Sequence, residues 1–247
     1  RARHVHLAGY FNCPRLQHDD LLTLVAKLSA RGCTVSLDTQ NDSLGDWRGA
    51  GRNLHQLLRL VDVFLPSERE ACGIADGATS VAQAIERLGA RGMGMMKPHA
   101  LLVVKCGDQG AICARGGRVL CVQPAFAVPV RDTTGAGDAF NAGFLLALAE
   151  GKLLPLPQSA RDDDPAFLSV LQRAMALGCA AGGLRVGIVG AANDVPTRAQ
   201  LDTFLSSMQA AGKVLPMSEA TLGFEPGSLD AFTRPGSARV ASIRSKL

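Results

Sequence analysis

The sequence predicts an α/β protein built on a doubly wound, mostly parallel sheet flanked by helices. Two observations carry that expectation. Short apolar runs alternate with segments of helical period along most of the chain, a βαβ rhythm that favours parallel strands. Polar residues, Asp38 among them, fall where those runs end, which is the rim at which such sheets bind ligands. A chain of 247 residues can bury a substantial core as one large α/β domain or two small ones.

His4–Ala8 reads as the first strand. Residues 19–31 carry leucines and a valine at helical spacing and stop at Gly32. Thr34–Asp38 is the next strand and closes on an acidic residue. A helix over 54–60 and a strand over 61–65 follow, and 66–70 reads as a turn. Then come a helix over 80–88 and the strand Leu101–Lys105. Two short runs, 111–114 and 119–122, suit a hairpin. A helix opens after Gly135, and others cover 166–181 and 197–210. Residues 155–165 read as an exposed loop and 211–247 as a loosely packed tail, so the expected division is a core over 1–210 and a C-terminal segment over 211–247.

Composition narrows the function classes. The net charge of +4 is too modest to argue for nucleic acid, and an aromatic content of 4% gives little for stacking bases. Apolar runs are broken by Gly, Arg or Asp before they reach membrane-spanning length. Neither nucleic acid nor a membrane is an expected partner. Seven cysteines, odd in number and never spaced C-x-x-C, suggest neither a disulfide framework nor a zinc site, and point to a reducing compartment. The five histidines show no metal-ligand spacing. The first residues lack the apolar core of a signal peptide. The chain stops at Ser245-Lys246-Leu247, the address read by the peroxisomal import receptor. A peroxisome, or a related organelle such as a glycosome, is the expected location, with the cytoplasm as the alternative.

The stretch VRDTTGAGDAFNAGF, 130–144, carries the chemistry. It lacks the Gly-Lys-Ser/Thr of a P-loop and the spacing of a dinucleotide fingerprint. Gly135, Ala136 and Gly137 have so little bulk that their backbone can approach an anion, and they precede a helix whose free amides favour phosphate. Asp138 stands in the first turn. A carboxylate beside a phosphate repels it unless an acceptor hydroxyl lies between them. In that case Asp138 takes the hydroxyl proton while the amides stabilise the transferring phosphoryl group. On spacing alone a second reading is equally open, in which Asp138 simply caps the helix.

Other residues admit two readings each. Lys105 either meets phosphate or snorkels from a strand end. Asp38 either joins a phosphate–metal network or caps structure. Glu70 alone reads as a solvated charge at a helix start. Gly107 and Gly110 permit a tight turn after the strand, with Asp108 toward solvent. Gly190, Ala191 and Asn193 are small residues that suit a flat base or an ordinary helix lead-in before Pro196 and Thr197.

DTTGAGDAFNAGF resembles the signature of the ribokinase-like (PfkB) carbohydrate kinases. The likeness extends over most of 4–205 through VSLDTQND (35–42), VDVFLPSEREA (61–71), LLVVKCGDQGAI (101–112) and GAANDVP (190–196), in the family's order. It implies a ribokinase-like core acting as an ATP-dependent phosphotransferase, moving the γ-phosphate to a hydroxyl of a sugar or sugar-like alcohol. Asp138 would be the general base, and Gly135, Ala136 and Gly137 the anion hole. Lys105, Gly107, Gly110, Thr134, Gly190, Ala191 and Asn193 would contact the nucleotide. Glu70 would help place the water shell of Mg²⁺, with Ser67 standing where the family has Asn. Asp132 would support the loop near a monovalent cation such as K⁺. Relatives carry an N-terminal portion with acceptor contacts and a lid sheet; here that lid is expected to be absent or truncated. The alternative is a catalytically impaired nucleotide-binding module or scaffold on the same fold. Beyond the sugar and the import receptor, the expected partner is a second copy in a homodimer.

Overall fold

Side chains alternate across a strand, so each strand of a central sheet feeds two different cores. The structure, a computed structural model, describes residues 2–49, 53–90, 94–157, 160–190 and 195–233. Its strands are β1 (His4–Ala8), β2 (Thr34–Asp38), β3 (Val63–Phe64), β4 (Leu101–Lys105), β5 (Ala111–Arg115) and β6 (Arg118–Gln123). They form one six-stranded sheet in the order β1-β2-β3-β4-β5-β6. The first four run parallel, and β5 and β6 return as antiparallel neighbours.

Parallel neighbours need crossovers, and helices supply them. α1 (Asp19–Ala30) links β1 to β2, with Asp19 and Asp20 at its positive end and Lys27 in its last turn. α2 (Leu54–Leu58) links β2 to β3. Between β3 and β4 lie α3 (Glu68–Ile74) and α4 (Val81–Gly89), the latter capped by Ser80. The expected turn over 66–70 is thus the start of a helix. Ser67 accepts from the Glu70 backbone N–H while the Glu70 side chain accepts from the Ser67 N–H, a reciprocal cap.

β4 shows the division of the interior. Leu102 and Val104 join the core beneath α1 to α4, with Val35, Leu37 and Phe64. Leu101 and Val103 join the opposite core, beneath α5 (Ala136–Glu150), α6 (Pro165–Arg185) and α7 (Arg198–Ala211). Helices therefore cover both faces of a mostly parallel sheet, as the sequence predicts. α5 and α6 touch closely because Gly143 and Gly178 leave room. A Cβ on Gly143 would stand 2.7 Å from the Leu177 carbonyl oxygen, and one on Gly178 would stand 2.9 Å from the Phe140 ring. α6 is long and apolar enough to cross a membrane by length and composition. Here Phe167, Leu168, Leu171 and Met175 spend that apolar surface in the core.

The expected loose tail is packed in its first part. Val214 bridges Phe126, and two short helices follow, α8 (Glu219–Leu222) and α9 (Asp230–Thr233). Leu222, Phe224, Leu229 and Phe232 are buried in the first core, so apolar burial overrides the polar, turn-rich local sequence. Ser245-Lys246-Leu247 lies outside the described residues.

Candidate active site

The C-terminal ends of β1, β2 and β4 meet the start of α5 at one rim of the sheet. Asp38 closes β2 and is 2% exposed. A buried carboxylate needs partners, and Asp38 has several. Lys105 Nζ, at the end of β4, donates to Oδ2 at 2.8 Å. Asn141 Nδ2, from α5, donates to the same oxygen. The Gln40 backbone N–H donates to Oδ1 at 3.0 Å. Lys105 Nζ also reaches Asn141 Oδ1 at 3.3 Å.

The ammonium lies against the glycine turn. A Cβ on Gly137 would sit 3.4 Å from Lys105 Nζ, so glycine keeps backbone and cation close. Lys105 is therefore a part-buried cation held on a carboxylate, not a strand-end lysine snorkelling to water. Gly135 is the N-cap of α5 with φ +79, a left-handed backbone suited to glycine, and the helix has no side-chain cap. The Ala136 N–H donates to the Thr133 carbonyl oxygen at 3.2 Å, and the first-turn amides that follow point toward an outside acceptor. Asp138 is the third residue of α5 and exposed, so it is not the cap. Gln40 Nε2 donates to its Oδ1 at 3.2 Å.

Beside the turn lies a cavity of about 290 Å³ bounded by Lys105, Gly107, Gly110, Thr133 and Gly137, with Phe126, Val128, Val186 and Leu215 as apolar wall. Gly107 and Gly110 have φ of +57 and +96. A Cβ on Gly110 would come within 2.0 Å of the Gln123 carbonyl oxygen, so only glycine fits there. Asp108 is exposed, as expected. An apolar slot opening onto a glycine turn and a lysine suits a flat base joined to phosphates.

Thr133 lines the cavity, whereas Thr134, the expected contact, donates its N–H to Asp132 Oδ1 at 2.9 Å. The Gly190 N–H donates to Asp132 Oδ2 at 2.8 Å. These bonds, Gly190 foremost, hold the Asp132 carboxyl down at about 2. Asp132 thus clamps the glycine loop to the segment at Gly190. Ala191 and Asn193 lie outside the described residues.

Glu70 is 8% exposed, and its Oε2 accepts the Ser67 N–H at 2.9 Å. Burial raises its pKa, the charge on Asp38 adds to that, and the Ser67 N–H opposes it. It is a buried cap, not a solvated charge. Among the described residues, no three His, Cys, Asp or Glu side chains converge as a metal cage. His6 Nδ1 lies 2.7 Å from Ser36 Oγ, and burial lowers its pKa in the combined field of Asp38, Lys105 and Asp138.

Gln40 and Asn141 escaped the sequence reading. Asn141 had a local signal, since it follows Asp138 by one helical turn. Gln40 had none, because its partner Asp138 lies 98 residues away.

A family profile described as pfkB family carbohydrate kinase matches residues 1–198. An uncharacterized sugar kinase of Archaeoglobus fulgidus is 36% identical over 107 residues, covering 42% of this chain and 38% of that relative. A ribokinase of Haemophilus influenzae is 29% identical over 152 residues, covering 61% of this chain and 42% of that relative. The chain thus spans less than half the length of either. Among solved structures, a putative ribokinase II from E. coli in complex with ATP and Mg²⁺ superposes with a TM-score of 0.60 at 23% identity. That match covers 83% of this chain and 59% of that one, and shows the shared fold.

Proposed function

Because the chain belongs to the pfkB family of carbohydrate kinases, we propose that it transfers the γ-phosphate of ATP to a hydroxyl of a sugar or sugar-like alcohol. One observation carries this reading. A single exposed carboxylate, Asp138, stands on the first turn of a helix without a side-chain cap, whose glycine turn is backed by Lys105. The apolar wall of Phe126, Val128 and Val186 receives the base of the nucleotide. The backbone of the glycine turn, through the amides of Gly135 and Gly137, and the Lys105 ammonium receive its phosphates.

The acceptor hydroxyl approaches between Asp138 and the turn. Asp138 accepts its proton as the oxygen attacks the γ-phosphorus. The bond from that phosphorus to the β,γ-bridging oxygen breaks, ADP leaves with the bonding pair, and the amides stabilise charge on the transferring group. When bound, ATP supplies the phosphoryl group and Mg²⁺ screens its charge. Among the described residues no protein cage converges, so Mg²⁺ would be carried by the phosphates and water, and Glu70, which feels the charges of Asp38 and Lys105, would help hold that water. Asp132, with an N–H on each oxygen, acts as loop clamp.

In the full-length protein, Asp138→Asn should lower sugar-dependent ATP turnover about 10²- to 10⁴-fold while calorimetric nucleotide affinity changes little. Unchanged turnover refutes the base assignment. A second reading is favoured by Glu70, one oxygen of which is taken by the Ser67 N–H: a nucleotide-binding module on this fold that transfers phosphate poorly. Tight ATP–Mg²⁺ binding by the wild-type protein, with no turnover across a panel of sugars, would select it.

A further inference from the structure

We propose that Gln40 is the positioning residue of this transfer: its side-chain amide holds one oxygen of Asp138 and turns the other toward the acceptor hydroxyl. The proposal rests on Asp138 being the base. Gln40 follows β2 with φ +57, a left-handed backbone that a non-glycine residue keeps only where its surroundings fix it. Its N–H is tied to Asp38 Oδ1 at 3.0 Å. Its Oε1 accepts from Asn12 Nδ2 at 2.6 Å, in the loop after β1. With a donor on Oε1, the amide has to present Nε2 on its other side, and there Asp138 Oδ1 lies at 3.2 Å.

Asn12, Gln40 and Asp138 therefore form a chain of polar contacts across the strand ends, and each link sets the orientation of the next. A carboxylate on an exposed helical turn otherwise rotates freely, and a base that wanders by an ångström loses most of its effect. Asp38 adds a second constraint. The carboxylate that seats Lys105 against the anion turn also holds the Gln40 backbone, so base and anion site are keyed to one buried group. An exposed hydrogen bond of this kind contributes little to folding, which separates positioning from a structural role.

The test uses the full-length protein with ¹⁵N-labelled glutamine side chains, the Gln40 amide signal being assigned by its loss in Gln40→Leu. That signal should move in Asp138→Ala. It should also move in Asn12→Asp, where an acceptor replaces the donor and turns the amide over, aiming its oxygen at Asp138. Gln40→Leu and Asn12→Asp should each lower kcat about 10- to 100-fold with the ATP KM and the melting temperature unchanged, and the double variant should be no worse than Gln40→Leu alone. A Gln40 signal indifferent to both Asp138→Ala and Asn12→Asp overturns the proposal, as does a Gln40→Leu protein with wild-type kcat. The underlying reading fails separately, if Asp138→Asn turns over normally. Should kcat be too low to measure, the amide signal alone decides.

Discussion

Asp38 and Lys105 are a buried ion pair, and removing such charges from water costs several kcal/mol per ion before their attraction and hydrogen bonds offset it. The partners at Asn141 and the Gln40 N–H complete that offset. Asp38→Ala leaves a part-buried ammonium without its carboxylate and should destabilise the fold by about 3–5 kcal/mol, measured by urea unfolding. Asp38→Leu combined with Lys105→Met should recover much of that loss while abolishing nucleotide binding. Two additive single-variant losses would show that the pair is not coupled. The Gly-Ala-Gly-Asp turn was legible because its residues are contiguous. The fate of Lys105 was not, because the carboxylate that decides it stands 67 residues earlier. The burial of Glu70 was hidden for a related reason: a helix-start charge and a buried cap share one local sequence, and only packing separates them.

At the level of elements, the edge strand β1 presents a polar row to β2. His4 Nδ1 lies 2.9 Å from Thr34 Oγ1 and its Nε2 lies 2.9 Å from Ser36 Oγ, which His6 shares. Burial lowers the His4 pKa from 6.5 to about 4, with the neighbouring His6 adding to it. Between those values the unfolded chain binds a proton that the folded chain refuses. Stability is therefore unaffected above pH 6.5 and falls as pH drops toward about 4. His4→Gln should flatten the acid slope of the urea midpoint in that window and leave the midpoint at pH 8 near wild type. Most elements were legible from period and punctuation, and β1, β2 and β4 match their expected ranges. The helix α3 was hidden because Pro66 and the charged run after it read as a turn. Its reciprocal cap, Ser67 with Glu70, was the overlooked signal.

For the molecule as a whole, strand order places the ends of β1, β2 and β4 at one rim with the start of α5, as α/β sheets place their ligand sites. The α/β class and the helices on both faces were legible, because near-continuous apolar runs such as that in β4 require cover on two sides. The docking of 214–232 was not, since few apolar residues there share a period and their partners lie far upstream. Truncation after Gly212 should lower unfolding free energy by about 1.5–3 kcal/mol for each of Leu222, Phe224, Leu229 and Phe232 removed from the core. An unchanged urea midpoint would show that this segment adds nothing. The distance along the chain between Asp38 and its partners also has a consequence for biosynthesis. Lys105 and Asn141 follow Asp38 by 67 and 103 residues. A chain emerging N-terminus first can align its parallel strands while that carboxylate still faces water. The rim that joins Asp38, Lys105 and the glycine turn comes into being only when α5 docks, so one late helix times the moment at which the proposed site is first complete in newly made protein.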